Sequence, residues 1–205
     1  MRHVIAVAVV IAGLFGLTWA EDKKPLPVNL VVNGSFEDGP KKIPGDDGGD
    51  ALSEDRGYLP LDKGSTDITG WVVTRGQIDL HANHVKAAKG RRSIDLNGSP
   101  GVGGIQQAIK TVKGKKYVLL FMFAGHPGKV EADEPEKVLG VDIGDETKTF
   151  KFDTTGHTKA QLGWVEKRVE FTAAGDKTTI EFYSLSKLDR YCGPAIDDVR
   201  VYAAD

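Results

Sequence analysis

Two carboxylates stand out as residues that could do chemistry. Glu37 closes the segment NGSFE, and Asp197 opens the segment IDDVRV. Alternation through residues 196–202 places Asp197 on the inward face with Val199 and Val201. A carboxylate turned toward a core needs a partner. A hard cation completed by backbone carbonyls would supply one; backbone amides or an arginine would serve as well. Asp79 and Asp95 form a second pair of acids, able to act about a sugar bond given the right separation and one raised pKa. His81 and His84 stand three apart. That spacing suits a metal on a helix, but the local sequence reads as strand end and loop. Without further ligands in view, the pair reads as surface polar side chains. The acids of GDDGGD (45–50) lack the calcium-loop spacing and its terminal Glu, so they read as a solvated loop. NGSPGVGG (97–104) looks like a glycine-rich phosphate loop, but IQQAIKTV after it alternates instead of opening a helix. A glycine turn between strands accounts for it. Neither G-x-S-x-G nor H-E-x-x-H occurs. Cys192, the only cysteine, can make no internal disulfide and reads as a small buried residue near the last strand.

The elements that must position these residues are strands. Residues 28–32 form a short apolar run, and 71–80 hold two short strands around Arg75-Gly76. Period-two patterns run through 93–97, 164–172, 178–184 and 196–202. In the third of these, Ile180 and Phe182 oppose Glu181 and Tyr183. The run 117–124 (YVLLFMFA) is apolar on both faces and predicts a central, doubly covered strand. Turns rich in Gly, Pro, Asn and Asp separate the strands, and helical periodicity is weak throughout. The expected fold is all-β, a single antiparallel sandwich. Residues 38–66 form a long polar stretch, the length at which a loop is usually functional or disordered.

Arg2 and His3 precede an apolar run from Val4 to Leu17, and Thr18-Trp19-Ala20 puts small residues at the −3 and −1 positions before Glu21. This is the layout of a signal peptide over 1–20, with a tether over 21–28 and one domain over 29–205. The expected location is secreted, periplasmic or cell-surface. The formal charge of −2 comes without a Lys/Arg cluster, which argues against nucleic acid and against docking on anionic membranes. No membrane insertion is expected once the signal is removed.

In order, NLVVNGSFEDG, GSTDITGWVVTRGQIDL, RRSIDLNGSPGVGGIQQ, GWVEKRVEFTA, TTIEFYSL and CGPAIDDVRV resemble the bacterial choice-of-anchor C family and the plant cell-wall proteins of domain-of-unknown-function family 642. The resemblance covers nearly all of residues 29–202. It implies a galactose-binding-like jelly roll, an association with cell walls and extracellular polysaccharide, and no catalytic activity. It also implies a structural calcium ion between Glu37 and Asp197. Two features depart from it. LHANHV (80–85) stands where aromatic residues often follow GQID, and the closing VYAAD carries no apolar anchor.

The expected partner is a polysaccharide or glycan. Its contacts are expected on solvent-facing positions of neighbouring strands: Asp79, Asp95, Asn97 and Gln106 for hydrogen bonds, His81 for either role, and Tyr183 for stacking on a sugar ring. Trp71 and Trp164 begin strands and can instead anchor the core. Two other classes stay open. One is a cell-envelope structural or protein-interaction module, which predicts a flat apolar patch. The other is a glycoside hydrolase using Asp79 and Asp95.

Overall fold

The structure, a computed structural model, describes residues 28–46, 48, 51–53, 56–98, 101–128, 135–186 and 191–204. The signal segment 1–20, the tether up to residue 27 and Ser99-Pro100 of the glycine turn lie outside the described residues. The strands in chain order are β1 (Tyr58–Asp62), β2 (Val72–Arg75), β3 (Gln77–His81), β4 (Ser93–Asp95), β5 (Asn97–Gly98), β6 (Gly101–Val102) and β7 (Gly104–Lys110). They continue with β8 (Lys116–Gly125), β9 (Glu136–Ile143), β10 (Glu146–Asp153), β11 (Val165–Thr172), β12 (Lys177–Ser184) and β13 (Pro194–Ala203).

These strands form an antiparallel β-sandwich. One sheet runs β1-β3-β4-β13-β8-β11 and the other β10-β9-β12-β7-β2, while β5 and β6 make a separate ribbon. The period-two apolar residues meet between the sheets. Ile78, Leu80, Ile94, Leu119, Phe121 and Phe123 of the six-stranded sheet join Ile105, Leu139, Val141, Ile180 and Phe182 of the other in one core. The chain passes from sheet to sheet at Gly76, where φ is +41° and a Cβ would collide with the Val102 carbonyl. Only glycine lets β2 and β3 lie in different sheets with one residue between them.

Two local readings are corrected. Residues 28–32 do not form a strand, because their backbone bonds go elsewhere. The Gln107 amide accepts from Val32 N–H (2.7 Å) and donates to Val32 C=O (2.8 Å). Val201 N–H donates to the Asn29 side chain (2.9 Å). The polar stretch 38–66 contains β1, an edge strand whose Pro60 sits where no further ladder partner is needed. The described part of GDDGGD is also held: Arg91 pairs with Asp46 at 2.6 Å and bonds the Gly48 carbonyl.

The outer face of the six-stranded sheet is covered. Alternation turns Asp79, His81, Ser93, Asp95 and Ala195 away from the core, yet all are buried. A second, smaller apolar cluster of Val85, Ala124, Leu162 and Ala195, flanked by Trp164, lies there. Loops 82–92 and 157–164 therefore roof this face. They are tied together by Lys86 N–H to the Lys159 carbonyl (2.8 Å) and by Trp164 Nε1 to the Lys86 carbonyl (2.9 Å).

Candidate functional site

The outer face of the five-stranded sheet carries an open polar array. Val72, Gln106, Glu181 and Asp142 are successive Cα partners across β2, β7, β12 and β9, so they share one row. In the next row on the same face, Tyr183 lies between Gly104 and Gly140. A Cβ at Gly140 would lie 2.4 Å from two atoms of the tyrosine ring, so the ring lies over a strand with no side chain there. The Arg75 guanidinium stacks on it, 3.6 Å from the centroid. Glu181 takes Arg75 Nε (2.7 Å), Arg75 Nη2 (3.0 Å) and the Thr74 hydroxyl (2.6 Å), and the Tyr183 hydroxyl donates to Asp142 (3.1 Å). The Glu181 hydrogen bond raises the Arg75 pKa, and burial followed by the Asp142 bond raises that of Tyr183. Both groups hold their protons at ordinary pH. Gln106 and Tyr183 thus come together on one face. The correction is that the ring itself is covered, and the plane presented outward is the guanidinium of Arg75, which had not been singled out.

Glu37 and Asp197 grip the same loop from different elements. Glu37 Oε1 accepts from Arg91 N–H (2.7 Å) and Arg92 N–H (2.8 Å). Asp197 Oδ2 accepts from Lys89 N–H (2.8 Å), and Oδ1 from Asp198 N–H (2.6 Å). Gly90 between them has φ +67°, and a Cβ there would strike the Glu37 carboxylate. Asp197 does not share the face of Val199 and Val201. The β13 register shifts between Asp197 and Arg200, with Asp198 at φ 45°, so parity reverses. Ile196 points into the core, and Asp197 points outward beneath the 88–89 loop. Burial pushes its carboxyl up to about 7, against the pull of the Lys89, Asp198 and Ala88 amides.

Asp79, His81, Asp95 and Asn97 are outward-facing as alternation requires, but they are not solvent-facing, because all four are buried. Asp95 Oδ1 accepts from Asn97 N–H (2.8 Å) and Gly193 N–H (2.9 Å), and Oδ2 meets His126 Nδ1 at 2.8 Å. Asp79 stands opposite Asp95 in the β3–β4 register. Burial, then the Asp95 charge, raises its carboxyl to about 8. Asp79 therefore keeps its proton at neutral pH. His81 and His84 are buried too, not surface polar side chains, and their rings meet that of His126. His126 was missed because its GHPG context reads as a turn. Only the pairing of β8 with β13, and of β13 with β4, brings it to β3. Cys192 is buried, as its residue type suggested.

Residues 29–202 match the family described as a protein of unknown function, DUF642. The chain belongs to this family. Halomucin of Haloquadratum walsbyi is 32% identical over 203 residues, 97% of this chain and 2% of halomucin. The Arabidopsis thaliana protein DUF642 L-galactono-1,4-lactone-responsive gene 2 is 27% identical over 190 residues, 87% of this chain and 47% of the plant protein. The DUF642 chain thus spans less than half the length of these relatives. Its fold is similar to that of a family 35 carbohydrate-binding module from Clostridium thermocellum, with TM-score 0.47, 16% identity, and 71% of this chain and 99% of that one covered. It is also similar to TmCBM61 in complex with β-1,4-galactotriose, with TM-score 0.48, 14% identity, and coverage of 86% and 99%. Among the described residues, no helix is long and apolar enough to cross a membrane.

Proposed function

We propose that this chain is an exported, noncatalytic domain that binds extracellular or cell-wall polysaccharide on the outer face of its five-stranded sheet. The observation that carries the reading is the Arg75–Tyr183 stack clamped by Glu181 and Asp142. Planar donors and acceptors already fixed in place suit sugar hydroxyls, since little side-chain freedom remains to be lost on binding. The hydrolase reading loses support from the burial of Asp79 and Asp95 and from Asp95 being taken up by His126 and two amides. A protein-docking patch is not favoured either. The large exposed apolar residues, such as Val72, Val102, Val112, Val165 and Leu185, come from separate strands and turns. The test is a glycan array probed with the secreted chain. Arg75→Ala and Tyr183→Ala should each reduce retention tenfold or more, while Tyr183→Phe, which keeps the ring, should lose much less. Absence of any retained glycan, or full retention by Arg75→Ala, overturns the reading.

A structural calcium ion at Glu37 and Asp197 belongs to the same proposal. The two carboxylates close on one loop, and each retains lone pairs beyond the amides it accepts, which fits a hard cation with oxygen ligands. Calcium at a hundredfold excess over its Kd would add about 2.7 kcal/mol to stability. Thermal unfolding should show the wild type losing several degrees in chelator and Asp197→Ala responding little. An unchanged wild-type midpoint, with no calcium by elemental analysis, leaves the pair as an amide-bonded closure.

A further inference from the structure

We infer that His81, His84 and His126 form a binding site for a divalent transition-metal ion of the zinc class, separate from the sugar face and from the Glu37–Asp197 closure. The three side chains are buried, with 2%, 7% and 4% of their surface exposed. Their ligand atoms all lie within 4.8 Å of one another. The ring centroids form a nearly equilateral triangle with sides of 5.2, 5.2 and 5.3 Å.

The hydrogen bonding around the cluster fixes its polarity. His126 Nδ1 lies 2.8 Å from Asp95 Oδ2, a carboxylate oxygen placed to accept, while Oδ1 takes two backbone amides. Nδ1 therefore carries the proton, and Nε2 carries the lone pair. His84 Nδ1 lies 2.8 Å from the Arg56 carbonyl, which can only accept, so its lone pair is again on Nε2. A carboxylate behind one imidazole and a backbone carbonyl behind another are the outer partners that orient histidine ligands at metal centres. Among the described residues, His126 Nε2 and His81 Nδ1 are buried and take no hydrogen bond, a costly state that a bound cation relieves. The cluster already attracts a cation: the Lys159 ammonium lies 2.9 Å from His84 Nε2. An incoming ion would displace this flexible side chain.

The fold leaves room for the three rings to meet. His81 ends β3 and His126 follows β8, with β4 and β13 between them in the sheet. His81 stands opposite Ser93 of β4, and His126 lies beside Gly193, just before β13, so a small residue neighbours each of these two histidines. Around a tetrahedral zinc ion with nitrogens at about 2.0–2.1 Å, ligand atoms stand roughly 3.3 Å apart. The rings must draw in on binding, by side-chain rotation beside Ser93 and Gly193. Imidazole ligands select zinc, copper or nickel over calcium or magnesium.

The experiment is zinc titration of the full secreted chain, stripped with chelator and followed by calorimetry. Calcium is the control ion, and cobalt(II) absorption is a second readout. One equivalent of zinc should bind, and calcium should not compete. His81→Asn and His126→Asn should each weaken binding a hundredfold or more, and Asp95→Asn by about 10- to 100-fold. His157→Asn, outside the cluster, should bind as wild type does. X-ray absorption on the zinc-loaded wild type keeps the test decisive if a variant fails to fold. It should show an imidazole shell at about 2.0–2.1 Å. An all-oxygen shell, no saturable binding, or unchanged binding in the His81→Asn/His126→Asn chain overturns the assignment.

Discussion

At the residue scale, the polar array of the five-stranded sheet depends on two absent side chains. Gly104 and Gly140 flank Tyr183 on its neighbouring strands, so the ring has space to lie flat and Arg75 has a surface to stack on. Gly140→Ala would put a methyl group where the ring lies. The ring must lift or the strand must shift, at a cost of about 1–3 kcal/mol by the usual penalty for overpacking. Denaturant midpoints should show that loss, and glycan retention should fall with it because Arg75 loses its seat. A stability change below about 0.5 kcal/mol, the range of ordinary surface substitutions, would mean that the ring is not confined. Sequence pattern turns Tyr183 and Gln106 each outward on its own strand, because period two is local. It could not show that Arg75 covers the ring, since Arg75 comes from β2, two strands away from β12 in the sheet. The same reasoning explains His81 and His84. Alternation turns His81 outward correctly, but the packing that buries both histidines lies beyond any window of local pattern.

At the element scale, the segment before the first strand is held by a side chain doing the work of a strand. Gln107, buried on β7, offers Val32 an acceptor and a donor through its amide, while Asn29 and Leu30 bond to Val201 on β13. The segment thereby touches both sheets without joining either ladder. The apolar run 28–32 reads as a strand in the sequence, but its bonding is different, because amide mimicry of a backbone carries no periodic signature. Gln107→Leu keeps the volume and removes both bonds. The expected cost is roughly 1–2 kcal/mol, moderated by the exposure of Val32 to water. Amide exchange at Leu30 and Val32 should accelerate, while β7 itself stays protected. Equal acceleration through β7 would mean that Gln107 supports the sheet rather than the segment. The bulge at Asp197–Asp198 teaches a related lesson. One extra residue in β13 reversed the parity on which the inward placement of Asp197 rested.

At the scale of the whole molecule, the two sheets are joined by an aromatic seam centred on Phe121. This ring, fully buried on β8 of the six-stranded sheet, meets Phe150 of β10 edge-on at 5.5 Å and Phe182 of β12 at 5.0 Å, both in the other sheet. Its strand was legible as central from the apolar run 117–124, and β8 does lie between β13 and β11. Because the seam belongs to both sheets, neither should unfold alone. Phe121→Ala removes aromatic contacts on both sides and leaves a cavity that the surrounding strands cannot fully close, at a cost of about 3–5 kcal/mol. In wild type and variant alike, the unfolding curve from Trp71 fluorescence, a core reporter, should coincide with that from far-ultraviolet dichroism. Hydrogen exchange should be slowest along Leu119–Phe123, paired on both sides except at Phe121 opposite the bulge, and along Ile180–Phe182, paired on both sides, and faster in the edge strands β1, β2 and β10. Phe121→Ala should lower protection in β12 as much as in β8. If β12 kept its protection while β8 lost it, the sheets would be separate cooperative units, and the seam would only fill space between them.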